Sequence, residues 1–99
     1  MVMARYGLLV KMTAATGQGY GLTKIMKEAA TLMKKAPGCD SYVVHAAAED
    51  NDVIWITEIW QDEQSHEQSL SVEGVGELIG QARPMIGGME MTKLRTLTD

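Results

Sequence analysis

The segment from Val53 to Leu70, VIWITEIWQDEQSHEQSL, decides how this chain folds. Its first half is an apolar, β-branched run with two tryptophans, and it passes without a Gly or Pro into a polar stretch of helical character. Period-two alternation puts Ile54, Ile56 and Trp60 on one face of a strand and Val53, Trp55 and Ile59 on the other, so both faces are apolar. Asp62 stands at the strand's end as an N-cap for a helix beginning DEQSHEQSL, because its carboxylate can accept from free backbone amides. The two tryptophans therefore serve opposite sides of the sheet, one toward the helices and one away from them.

Working outward, Arg5 to Ala14 alternates as a first strand, with Tyr6, Leu8, Val10, Met12 and Ala14 on one face. Gly17, Gly19 and Gly21 follow, and then Leu22, Ile25, Met26, Ala29, Leu32, Met33 and Ala36 recur at helical spacing until Pro37 and Gly38 stop the helix. Cys39 to Ala47 reads as a second strand, joined through the polar cluster Glu49 to Asp52 to Val53–Trp60 as a hairpin. Beyond Ser71, the residues Val72, Val75, Ile79, Ala82 and Ile86 restart a helical pattern weakened by Gly74, Gly76 and Gly80 and ended near Pro84. After Gly87 and Gly88, MEMTKLRTL reads as the last strand. The order β, α, β, β, α, β predicts a ferredoxin-like α+β fold, one antiparallel sheet with its helices on one face.

Ninety-nine residues fit one domain, and 45% hydrophobic with 22% charged residues is a globular composition. A net charge of −4 and scattered basic residues supply no stripe for a phosphate backbone, so nucleic acid is not an expected partner. No apolar run approaches the roughly 18 residues of a membrane span, and the amino terminus has no secretory pattern; the expectation is a cytoplasmic protein off the membrane. Cys39 is the lone cysteine, which excludes an internal disulfide and a cysteine zinc site and is read as packing. The glycine series lacks the G-x-G-x-x-G spacing and is read as turn chemistry or a mobile edge rather than a phosphate loop. Of the eight methionines, Met12, Met26, Met33 and Met85 fall on apolar periodic positions and are expected in the core. No paired-carboxylate, Ser-His-Asp or H-E-x-x-H constellation occurs.

Two helices cover only one face of a four-stranded sheet, yet this sheet is apolar on both. An uncovered apolar face exceeds what monomers ordinarily expose, so a homodimer packed through sheet faces is expected.

Three segments, IWITEIWQDEQSHEQSL, LIGQARPMIGG and PGCDSYVVH, together with the E-x-W pair Glu58 and Trp60, resemble the antibiotic biosynthesis monooxygenase family over about Tyr6 to Leu97. The resemblance implies a dimeric α+β barrel. It also implies a group of activities that includes cofactor-free oxygenases of aromatic quinols and haem-degrading enzymes. Many relatives carry a histidine followed by leucine in the second helix where this chain has Ser69 and Leu70; its own histidine, His66, lies three residues earlier on the same helical face. His66 either addresses the cleft from one turn lower or is a surface histidine tolerated by an amphipathic helix. The haem-degrading branch resembles a site with an asparagine, a tryptophan and a histidine, and this chain has Val10, Ser69 and Ile79 at those places, so haem degradation is not expected.

The resemblance then implies a monooxygenase that needs no cofactor and oxidises a quinol or polycyclic hydroxyaromatic with O2. A deprotonated electron-rich ring can pass an electron to oxygen itself, and the protein has to exclude water, hold the ring and stabilise the phenolate. His66 is the candidate base for the hydroxyl proton. Trp60 and Tyr42 are candidates to stack on the ring, and Ser69 and Arg83 to hold a ring oxygen. Each has a structural alternative: Trp60 as a core or interface anchor, Arg83 as a complement to a helix C-terminus. Glu58, among apolar strand neighbours, is either paired at the subunit interface or functional. The competing function is a non-catalytic dimeric module that binds small ligands or another protein.

Overall fold

Every second residue of the first strand is apolar, and in the computed structural model, which describes residues 4–98, that alternation becomes a covered face. Strand β1 (Arg5–Ala14) buries Leu8, Val10, Met12 and Ala14 toward the helices. Helix α1 (Gly19–Met33) lays Leu22, Ile25, Met26, Ala29, Ala30 and Met33 onto the sheet. The hairpin β2 (Cys39–Ala47) and β3 (Asp50–Trp60) follows, then α2 (Glu63–Ser69), α3 (Val75–Ala82), a 3-10 turn at Arg83–Met85, and β4 (Ile86–Thr96). All pairings are antiparallel in the order β2-β3-β1-β4, the ferredoxin-like arrangement expected from the sequence.

Strand β3 sorts its residues as the alternation required. Ile54, Ile56, Glu58 and Trp60 are buried beneath the helices, while Val53, Trp55 and Ile59 are half-buried on the open face. There Trp55 lies under the Lys11 ammonium, 5.6 Å from the ring centre. Met12, Met26 and Met33 are core residues, and Met85 packs against them.

Three boundaries differ from the sequence reading, each for a local reason. The second helical region is two helices rather than one, because Gly74 adopts φ +91° and starts α3 after an interruption at Leu70 to Glu73. The β2–β3 connection is only Ala48 and Glu49, so part of the polar cluster belongs to the strand. Strand β4 begins at Ile86 rather than Met89, since a register shift opposite Thr13 and Ala14 lets Gly87 and Gly88 run within the pairing.

The glycine series turns out to be filled from within the chain. Asp52, on β3, accepts from the Gly17 N–H at 3.1 Å and the Gly19 N–H at 2.9 Å, so its carboxylate supplies the acceptors that Gln18 does not provide at the start of α1. Gly17 sits at φ +80°, and a Cβ on Gly19 would come within 1.8 Å of the Asn51 carbonyl oxygen.

This arrangement makes a stability prediction. Asp52→Ala should lower unfolding free energy by about 1 kcal/mol, the usual worth of a lost N-terminal cap. Gly19→Ala should cost more, because backbone has to move. Urea denaturation midpoints at constant m-value measure both; an Asp52→Ala midpoint equal to wild type would show that the carboxylate does not hold the helix start.

Candidate active site

The end of β3 and the start of α2 are joined so tightly that strand and helix side chains meet. Asp62 takes an extended conformation and its side chain accepts from the Ser65 N–H at 2.7 Å, capping α2 as the sequence indicated. The Gln61 N–H donates to the Gly38 carbonyl at 2.8 Å. Gly38 itself lies at φ +83°, where a Cβ would fall within 2.4 Å of the Ser65 hydroxyl oxygen. The Pro37–Gly38 stop of α1 thus also seats the first turn of α2, and it carries His66 over the last residues of β3.

Beneath His66 lies a buried polar cluster. The Trp60 indole Nε1–H donates to Glu58 Oε1 at 2.9 Å, and His66 Nε2 approaches the same oxygen at 3.8 Å. The His66 ring meets Trp60 edge-on, with centroids 5.6 Å apart and planes at 67°. Tyr6, the direct β1 partner of Trp60, also reaches the imidazole, with ring centroids 5.8 Å apart. Tyr42 sits opposite Glu58 and Cys39 opposite Trp60 in the β2–β3 register.

Burial governs how these groups hold protons. A hydrogen bond to a charged acceptor returns about 1.5–3 kcal/mol, whereas desolvating a carboxylate costs several. One indole N–H therefore does not compensate Glu58, and burial pushes its carboxyl above the usual 4.5 despite the Trp60 bond. Burial likewise draws His66 below 6.5, against the raising influence of Glu67 and Glu63. At 3.8 Å the two groups are beyond hydrogen-bond reach, and loss of water outweighs their attraction, so each shifts toward its neutral form. Burial raises the Tyr42 hydroxyl far above 10, with Glu58 adding to it, and burial pushes the Cys39 thiol up as well, which keeps it a thiol rather than a nucleophile.

The five residues singled out from the sequence fall into three groups. His66 and Trp60 are in ring contact, with Tyr42 one strand away beside Glu58. Ser69 is buried, but its hydroxyl donates to the His66 carbonyl within the helix. Arg83 is exposed where α3 meets the 3-10 turn. Tyr6 is the member that sequence reasoning missed; its alternation with Leu8 marked the correct face, but nothing in the sequence paired it with Trp60. The outer rim holds a Lys93–Glu63 ion pair at 2.7 Å. A groove of about 540 Å³ opens beside Tyr6, lined also by Arg5, Gln61, Glu63, Leu94 and Arg95. Among the described residues, no group of three or more His, Cys, Asp or Glu side chains is placed to hold a metal ion.

Comparison with known proteins adds a family. Residues 5–79 match the model of the antibiotic biosynthesis monooxygenase family. A provisionally assigned antibiotic biosynthesis monooxygenase from Chloroflexus aurantiacus is 39% identical, with 97% of this chain and 96% of that chain covered and a TM-score of 0.88. A Pseudomonas aeruginosa protein shares the fold at 18% identity, covering 99% of each chain with a TM-score of 0.89. So does a mutant of SnoaB, a cofactor-independent oxygenase from Streptomyces nogalater, at 11% identity over 97% of this chain and 96% of that one, TM-score 0.81. No protein of curated function matches.

The opposed shifts in the cluster predict a pH signature. A carboxyl whose folded value is raised contributes stability that is full below pH 4.5 and is lost as pH rises through its folded value. An imidazole whose value is lowered contributes stability that is full above 6.5 and is lost as pH falls through its folded value. Glu58→Gln, which keeps an acceptor for Trp60, should remove the first dependence. Melting temperatures from pH 4 to 8 should therefore fall less steeply above 4.5 in the variant; parallel wild-type and variant curves would mean that Glu58 does not titrate in that range.

Proposed function

The chain belongs to the antibiotic biosynthesis monooxygenase family, and from that premise we propose that it is a cytoplasmic, cofactor-independent monooxygenase that oxidises a quinol or polycyclic hydroxyaromatic with O2. The observation that carries this reading is a half-buried imidazole in contact with two aromatic rings, its proton affinity lowered by burial. Such a base is neutral near physiological pH, and its surroundings suit an aromatic ring more than a polar ligand.

In the proposed reaction His66 takes the hydroxyl proton, and the phenolate passes an electron to O2. After recombination at a ring carbon, one oxygen atom becomes a new carbonyl and the other leaves as water with two hydrogens from the substrate. A naphthol plus O2 thus gives a naphthoquinone plus water. Tyr6 borders the ring, while Trp60, fully buried, backs the His66 imidazole rather than stacking on substrate. Tyr42 supports the floor of the site, Ser69 keeps the helix turn that carries His66, and Arg83 is proposed to meet a ring oxygen from the edge of α3.

We also propose that the open sheet face, where Trp55 and Ile59 are half-buried and Val43 and Leu94 are exposed, packs on a second copy of the chain.

Two experiments test these readings. Purified, metal-free protein should consume oxygen with a panel of hydroxyaromatics, and His66→Ala should lower the rate at least about tenfold. Activity should hold above pH 6.5 and fall as the pH drops below it and His66 becomes protonated. Ligand-induced thermal stabilisation without oxygen uptake would instead identify a non-catalytic binding module. In sedimentation at micromolar concentration, wild type should run as a dimer and Trp55→Glu as a folded monomer; a monomeric wild type removes the sheet-packing argument.

A further inference from the structure

We propose that Glu58 is a positioning residue for His66: its Oε1, fixed by the Trp60 indole N–H at 2.9 Å, faces His66 Nε2 at 3.8 Å and supplies the counter-charge when the imidazole takes a substrate proton. This inference rests on the reading of His66 as the base. Nε2 is turned toward Glu58, which leaves Nδ1 to meet the substrate hydroxyl. In the step, the substrate O–H bond breaks and an Nδ1–H bond forms; a phenolate and an imidazolium result, and no electrons change hands.

The selection of Glu58 follows from the groups that face His66. From α2 itself, Glu63 is exposed and committed to Lys93 of β4, and Glu67 is exposed. From β1 comes Tyr6, whose hydroxyl burial pushes further from ionising. From β2, Tyr42 pairs opposite Glu58 and Cys39 opposite Trp60, and burial keeps both protonated. Glu58 of β3 is the carboxyl shielded from water, where attraction at about 4 Å is roughly fourfold stronger than in bulk solvent. Burial opposes charge on both groups, but with Glu58 ionised a proton arriving on His66 completes a charged pair in which carboxylate and imidazolium each favour the other's charge. Trp60 orients this exchange by holding the shared oxygen through its indole N–H, as a second partner orients a catalytic base.

The chain has two histidines, and it is His66 that faces Glu58. His45 is exposed on the other face of the sheet, its Nε2 3.3 Å from Thr57 Oγ1. Titration of the His66 ring by NMR should show its midpoint falling by about one pH unit in Glu58→Gln. Glu58→Asp, which keeps the charge, should restore most of the shift. In turnover, Glu58→Gln should lower kcat with KM unchanged and move the acid limb of the rate profile to lower pH. Should the variant fold poorly, the wild-type Glu58 carboxyl carbon, followed by NMR, should show a second inflection at the His66 midpoint. A His66 midpoint that does not move in Glu58→Gln, or a Glu58 carboxyl that ignores His66, overturns the inference. These titrations are read on the resting protein, so they stand or fall independently of oxygen uptake, which alone tests the proposed activity.

Discussion

The whole arrangement depends on strand β3 being apolar on both faces while α1 and α2 pack on only one. Period two commits Ile54, Ile56, Glu58 and Trp60 to the helix side and Val53, Trp55, Thr57 and Ile59 to the other, and a slip of one residue would exchange the sets. With Ile54, Ile56 and Trp60 almost fully buried, such a slip would expose the heaviest part of the core. The register is therefore strongly specified, and everything attached to β3 inherits that precision. Asp52 at its start reaches the α1 amides, Asp62 beyond its end caps α2, and Glu58 and Trp60 face upward between them.

What the sequence made legible are features that repeat within one element. Alternation located β1 and the two faces of β3, and helical spacing located the buried stripe of α1. The Asp62 cap was legible because its partner, Ser65, is three residues away. What stayed hidden depends on contacts between elements. The acceptor for the glycine loop is Asp52, more than thirty residues downstream, and it read as part of a polar turn. Tyr6 joins the candidate site because β1 pairs with β3 so that Tyr6 meets Trp60, a register that one strand's pattern does not contain. The split between α2 and α3 turns on one backbone dihedral at Gly74; glycines there weakened the helical pattern without saying where it would break.

The same contrast explains why the site is harder to read than the fold. In the second helix, Ser69 and His66 share a face, but the structure gives them different work: Ser69 is buried and bonds back to its own helix, while the larger imidazole stands at the mouth with Glu63, Glu67 and Lys93 around it. Face alone does not distinguish those positions. Depth does, and depth is set by how α2 leans on the α1–β2 junction through Gly38.

Glu58 is the place where packing logic and the sequence part company. An isoleucine there would continue the run of Ile54 and Ile56 beneath α1 and leave nothing to desolvate, and replacing buried charged groups by apolar ones is often neutral or stabilising. The chain instead carries a carboxyl whose burial is opposed by a single indole N–H and whose other close polar neighbour is the imidazole of His66. Local rules in an otherwise consistent sequence are broken most readily where function requires it. Of the residues beneath the helices, Glu58 breaks them most clearly, and it does so beside Trp60 and His66 rather than elsewhere along the strand.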